Sequence, residues 1–247
     1  MTVFRLWKQA IPPELPSPQT RPAAIKGAMA FTEKDGEVFR GLGRKEDLGQ
    51  LLGYVLDNQI PVVVVMGESG VGKSSLLRAG LADALQKNDV RLIYWEALPT
   101  NPTDRLLHAV GSGWDAAKDG PVPNELDDAI RALAAGPTRT VIVLDQFEQL
   151  SIDIPTHRPL FEALKAFITS AMPPYRLTWV VAFRRDYDPF WRDFELSVPG
   201  FHPPIPDPND RKRRREAGAL SVYTNRNRWP QQSRCARTAA RDEKKLS

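Results

Sequence analysis

The residues best equipped for chemistry form one short string, Gly67-Glu68-Ser69-Gly70-Val71-Gly72-Lys73-Ser74, which fits the spacing G-x-x-x-x-G-K-S/T once in the chain. Glycines let backbone amides curl around phosphate oxygens, and a following helix start adds unpaired amides and a favourable dipole. Lys73 is placed to reach the β- and γ-phosphates of a nucleoside triphosphate, and the Ser74 hydroxyl to ligate Mg²⁺. Gly67, Gly70, Val71, Gly72, Lys73, Ser74 and Ser75 are therefore the expected nucleotide contacts. Glu68 and Ser69 occupy variable positions of such a loop and receive no catalytic role.

Two further constellations follow. VIVLDQFEQL (141–150) places Asp145 at the end of an apolar run. Ligands of open parallel sheets bind at the carboxyl ends of the strands, where an acid needs a partner. Mg²⁺ is the natural one, so Asp145 is expected to position metal together with Ser74. Gln146 cannot act as a base. Glu148 is the nearest acid able to orient or deprotonate a water, although it could equally cap a helix or pair with a surface cation. WVVAFRRDYDPF (179–190) puts Arg184 and Arg185 just past another apolar run. Arg184 is the candidate for sensing the γ-phosphate, and salt bridges to Asp186 or Asp188 are the alternative for both arginines.

The elements that must hold these residues are legible from periodicity. PVVVVM (61–66), Val90–Trp95, VIVLD (141–145) and Leu177–Phe183 read as strands; Glu46–Asn58, Ser74–Gln86, Thr103–Val110, Glu125–Ala135 and Pro159–Ala171 read as helices. Gly111–Pro123 reads as a loop. The alternation predicts an α/β, three-layer P-loop NTPase fold with a mostly parallel central sheet and helices on both faces. Residues 1–27, with five prolines from Pro12 to Pro22, read as an arm or linker. Residues 28–200 read as the nucleotide domain. Residues 201–247 read as a basic, disordered tail, with at most a helix around 211–220.

Charge supports that division. From Asp207 to Ser247 there are 12 Lys/Arg against 5 Asp/Glu, whereas the other 206 residues carry 22 against 25. The body is mildly acidic, which argues against nucleic acid binding by the folded domain. The basic run Arg211–Arg215 could attract nucleic acid or anionic lipid, and a solvated charge patch is the favoured reading. His108, His157 and His202 are scattered, without metal-ligand spacing. Cys235 is the single cysteine, so the sequence holds no intrachain disulfide. That fits a reducing cytoplasm. No run approaches the roughly 20 apolar residues of a membrane span, and the N-terminus lacks the apolar core of a signal peptide.

Taken together, the blocks resemble the STAND NTPases (signal transduction ATPases with numerous domains), and more narrowly the novel STAND NTPase 1 group. The resemblance runs over roughly residues 28–200. It rests on AFTEKDGEVFRGLGRKEDL (30–48), GESGVGKSSLLRAGL (67–81), VIVLDQFEQL and VVAFRRDYDPF. It implies that Gly43 and Arg44 match the family's Gly-Arg pair, near the adenine side of the nucleotide. It also implies ATP and Mg²⁺ as ligands, slow hydrolysis, and a regulatory switch with self-association or signalling partners. Family members usually continue into a helical lid and sensor repeats. The segment after Phe194 has no room for these, so a truncated or frameshifted end, or a private tail, is expected.

Other readings make distinct demands. A non-hydrolysing nucleotide-dependent scaffold would be indifferent to Glu148. A nucleic-acid-associated ATPase would use the basic tail. A small-molecule kinase would need an acceptor site that the sequence does not show. The absence of a guanine-reading Asn/Thr-Lys-x-Asp string favours ATP over GTP; the nearest, Thr224-Asn225-Arg226-Asn227, has arginine for lysine.

Overall fold

The computed structural model describes residues 32, 35, 39, 41, 43–97, 102–170, 173–199, 201 and 220–225, with the backbone alone for Pro102, Thr103 and Asn225. The arm 1–27, His202, the run Arg211–Arg215 with the helix expected around it, and Cys235 lie outside the described residues.

Among the described residues five strands make one sheet: β1 Val62–Gly67, β2 Arg91–Glu96, β3 Thr140–Asp145, β4 Leu177–Arg184 and β5 Ser221–Asn225. Their spatial order is β2-β3-β4-β1-β5. The first four are mutually parallel, and β5 runs antiparallel to β1. β1 and β3 are buried at every position. A continuous β-branched run suits a strand covered on both faces. β2, at the sheet edge, alternates instead.

Alternation along each strand sorts side chains into two cores. Val63, Val65, Val141, Val143, Val180 and Ala182 face a core that includes Leu51, Val55, Leu76, Leu77, Leu81 and Leu85. These leucines and the valine come from α1, Lys45–Leu56, and from α2, a helical run of Lys73–Ser75, a π-helical stretch Leu76–Leu81, and Ala82–Gln86. Val62, Val64, Met66, Ile142, Leu144, Trp179, Val181 and Phe183 face the opposite core. That core is closed by α3 Pro102–Ser112, α5 Leu126–Ala135, α6 Ile154–Ser170 and α7 Asp188–Ser197; α4 Ala116–Asp119 is a short turn between α3 and α5. Helices thus cover both faces, giving the three-layer α/β architecture.

Four features depart from the sequence reading. The sheet does not stop at residue 200: β5 lies inside the segment expected to be a disordered tail, with Val222 and Tyr223 buried. The region 111–123 is not all loop, because α3 runs to Ser112 and α4 is capped by Asp115, whose side chain accepts from the Ala117 amide. α6 starts five residues before Pro159. Asp153 accepts from the Thr156 amide and hydroxyl, Pro155 sits in the donor-poor first turn, and Pro159 is tolerated inside the helix. Finally, α7 follows β4 after a 3-10 turn, Arg185–Tyr187.

Candidate functional site

Parallel register brings four strand ends to one edge of the sheet. Gly67 pairs with Arg184, and Glu96 pairs with Asp145. The loop after β1 then turns into α2 through Gly70 (φ 76°) and Gly72 (φ 89°), both in the left-handed region open to glycine. Gly67 is required for another reason. A Cβ there would lie 2.8 Å from Val71 Cγ1, so the Val71 side chain would have to shift.

Lys73 folds over this loop. Its Nζ donates to the carbonyls of Gly67 and Glu68, both at 2.9 Å. Burial lowers the Lys73 pKa, opposed by the carboxylates of Glu148 and Asp145; Arg184 also lowers it. Those groups therefore stand within electrostatic reach of the ammonium, although they come from three different elements. Ser74 and Ser75 occupy the first turn of α2.

Asp145 is 1% exposed. The Gln146 amide donates to its Oδ1 at 2.9 Å, and the Tyr94 hydroxyl donates to its Oδ2. Burial first, and then the Asp145 charge, push the Tyr94 phenol strongly up, so it remains a protonated donor. A carboxylate offers about four lone-pair sites, so Asp145 retains capacity for a further partner. One strand-end carboxylate and one helix-start hydroxyl, with phosphates and water completing the shell, make the all-oxygen set that Mg²⁺ takes. Among the described residues there is no cluster of three or more His, Cys, Asp or Glu that could hold a metal by itself.

Glu148 lies in a 3-10 turn, Phe147–Ser151, and is 7% exposed. Its Oε2 accepts from the Arg184 amide at 3.3 Å. Burial raises its pKa, against the lowering effects of backbone hydrogen bonds and Lys73. The turn is moored by Phe147, whose ring meets Phe161 at 5.7 Å and Trp191 at 5.6 Å, both edge-on, and Phe190 at 6.0 Å.

The arginines divide the work. The Arg184 backbone supports Glu148 while its guanidinium pairs with Asp186 at 2.6 Å. Arg185 reaches Glu68 of the phosphate loop at 3.7 Å. Arg44, expected on the adenine side, donates to the Val71 carbonyl at 2.8 Å and to Asp47 at 2.7 Å, bracing the loop from outside. Gly43 precedes it at φ 72°. Of the histidines, His157 is fully buried in α6, and burial lowers its pKa.

Sequence reasoning overlooked the partners of Asp145. Tyr94 and Glu96 lie on β2 and reach the site through the pairing of β2 with β3, and Arg78 lies on α2. It also overlooked Leu220, whose Cδ1 would lie 3.5 Å from a Cβ built on Gly67. The string ALSVYT (219–224) was the available signal.

A family model described as novel STAND NTPase 1 matches residues 26–197. No curated protein matches the chain. Among solved structures, it is similar to the ORC1 protein of Aeropyrum pernix, solved in complex with DNA. The identity is 17% and the TM-score 0.42, and the match covers 69% of this chain and 47% of that one. No helix among the described residues is long and apolar enough to cross a membrane.

Proposed function

The chain belongs to the novel STAND NTPase 1 family, a family of P-loop NTPases, and we propose that it binds ATP with Mg²⁺ and hydrolyses it slowly as a regulatory switch. The observation that carries this is the convergence of Lys73, Asp145, Glu148 and Arg184 at the carboxyl edge of the sheet, around a glycine loop that opens a helix.

Each residue then has a task. Lys73 exchanges its two loop carbonyls for phosphate oxygens, which pair its ammonium with ionised acceptors in place of neutral ones. The amides of Gly70–Ser75 surround the phosphates. Ser74 and Asp145 would hold Mg²⁺, which when bound would supply positive charge against the phosphates. Glu148, kept nearly dry and oriented by the Arg184 amide, accepts the proton of the attacking water. A pKa raised towards the working pH suits that role. Arg184 would exchange Asp186 for the γ-phosphate, which would make its ion pair a readout of the nucleotide state. Differential affinity of two conformations for the γ-phosphate and metal is what would drive a switch.

The test is phosphate release with ATP and with GTP, each with Mg²⁺, on the wild-type protein, Lys73→Ala and Glu148→Gln. ATP turnover lost in both variants supports the reading. Lys73-dependent binding without turnover would replace it with a non-hydrolysing, nucleotide-dependent scaffold.

A further inference from the structure

Around Asp145 the side chains close into a circuit. Tyr94 donates to Asp145 Oδ2. The Arg78 guanidinium lies 4.7 Å from the centre of the Tyr94 ring and pairs with Glu96 Oε2. Gln146 Nε2 donates to the other oxygen, Glu96 Oε1, and the Gln146 amide returns to Asp145 Oδ1.

Three elements meet in this ring, and the geometry explains why. Glu96 faces Asp145 in register, and Tyr94, two residues earlier, projects to the same side of the sheet. A diagonal cross-strand neighbour is within reach of an aromatic side chain. Arg78 sits five residues after Lys73, in the π-helical stretch of α2. Such stretches concentrate at functional sites. Gln146 adopts φ 56°, one of only two positive values among the described non-glycine residues. A left-handed backbone at a non-glycine residue costs energy and persists where its surroundings hold it. Here the Glu96 carboxylate holds the side chain and Asp145 holds the amide.

We propose that Tyr94, together with the Arg78–Glu96 pair and Gln146, positions the Asp145 carboxylate for the divalent cation and ties that carboxylate to the phosphate-loop helix. The proposal rests on the nucleotide-site reading above. It adds that metal affinity is set by β2 and α2 as well as by the two direct ligands. None of Tyr94, Arg78 or Glu96 is assigned a contact with nucleotide. Outer partners of a metal ligand typically contribute about 10- to 100-fold in metal affinity.

The experiment is Mn²⁺ binding followed by electron paramagnetic resonance, with a non-hydrolysable ATP analogue present. Metal-free affinity for the same analogue is measured in parallel. Tyr94→Phe keeps the ring under Arg78 and removes only the hydroxyl. It is expected to weaken Mn²⁺ about 10-fold or more, leaving metal-free nucleotide affinity within about twofold. Glu96→Gln, at a side chain 38% exposed and so tolerant of change, is expected to weaken Mn²⁺ in the same selective way. The double variant should fall short of the product of the two effects, because the residues act as one unit. Unchanged Mn²⁺ affinity in both variants, with Asp145→Asn weakened, overturns the circuit but leaves the nucleotide site standing. Equal losses of metal and metal-free nucleotide affinity also overturn it. Absence of Lys73-dependent nucleotide binding in the wild type overturns both.

Discussion

The two faces of the sheet are built from different side chains and support different parts of the site. On one face, β1 and β3 contribute four valines and β4 contributes Val180 and Ala182, packed against leucines of α1 and α2. That aliphatic layer carries the phosphate loop and Asp145. The other face is aromatic, with Trp179, Phe183, Trp191, Phe194 and Phe147 in one cluster. It carries the turn that presents Glu148. On the proposed reading, grip on the phosphates and activation of water would rest on separate cores, one on each face of the sheet. Substitutions on the two faces should therefore separate binding from turnover.

The sharpest version of that separation is Glu148→Gln. Loss of a general base is expected to slow hydrolysis by roughly 10²- to 10⁴-fold, with ATP affinity retained, as phosphate-release and calorimetric titrations would show. The same variant should melt higher than wild type at neutral pH. A carboxyl whose folded pKa is raised contributes stability below its unfolded pKa, and loses it as pH rises through the folded value. Glutamine removes that loss.

Phe147→Ala attacks the aromatic mooring itself. Truncating a buried phenylalanine costs about 3–5 kcal/mol, read as a lower denaturation midpoint. Turnover should fall more than nucleotide affinity in the protein that remains folded. Equal losses of both would break the division between the faces.

On the aliphatic face the corresponding change is Gly80→Ala. A Cβ there would stand 2.6 Å from Phe39 Cε1, forcing the buried ring to move. Overpacking costs about 1–3 kcal/mol, partly offset by the helix preference of alanine, worth about 1 kcal/mol. Adding Phe39→Leu should relieve the clash, and denaturant melts of the single and double variants would show it. The smallest effect is on pH dependence. The acid limb of the turnover profile should lie above the ordinary glutamate range, because burial raises Glu148. That limb should vanish in Glu148→Gln.

The phosphate loop and the strand-end residues were legible because local sequence dictates where they stand. A glycine loop between a valine run and a leucine-spaced helix has few other foldings, and Asp145 and Arg184 announce themselves by ending apolar runs. What escaped was non-local. Tyr94 and Glu96 gain their roles from the register of β2 on β3, which no periodicity reveals. Arg44 braces Val71 from 27 residues away. β5 was hidden for a different reason. Its five residues include only two buried apolar ones, and the charge of the surrounding segment outweighs them in any compositional average. Such an edge strand is specified by the partner waiting for it. Helix α6 begins at Ile154, five residues ahead of the expected start at Pro159, and its Pro155 lies where a helix start has no use for its amide.

The central claim is that the carboxyl edge of this sheet is a nucleotide site gripped by Lys73. The most direct measurement is calorimetric titration of wild type and Lys73→Ala with ATP and Mg²⁺. Binding that weakens by about 100-fold or more in the variant is the predicted result, since several charge-assisted hydrogen bonds are lost together. Equal affinity in the two proteins, or no binding by wild type, would contradict the account.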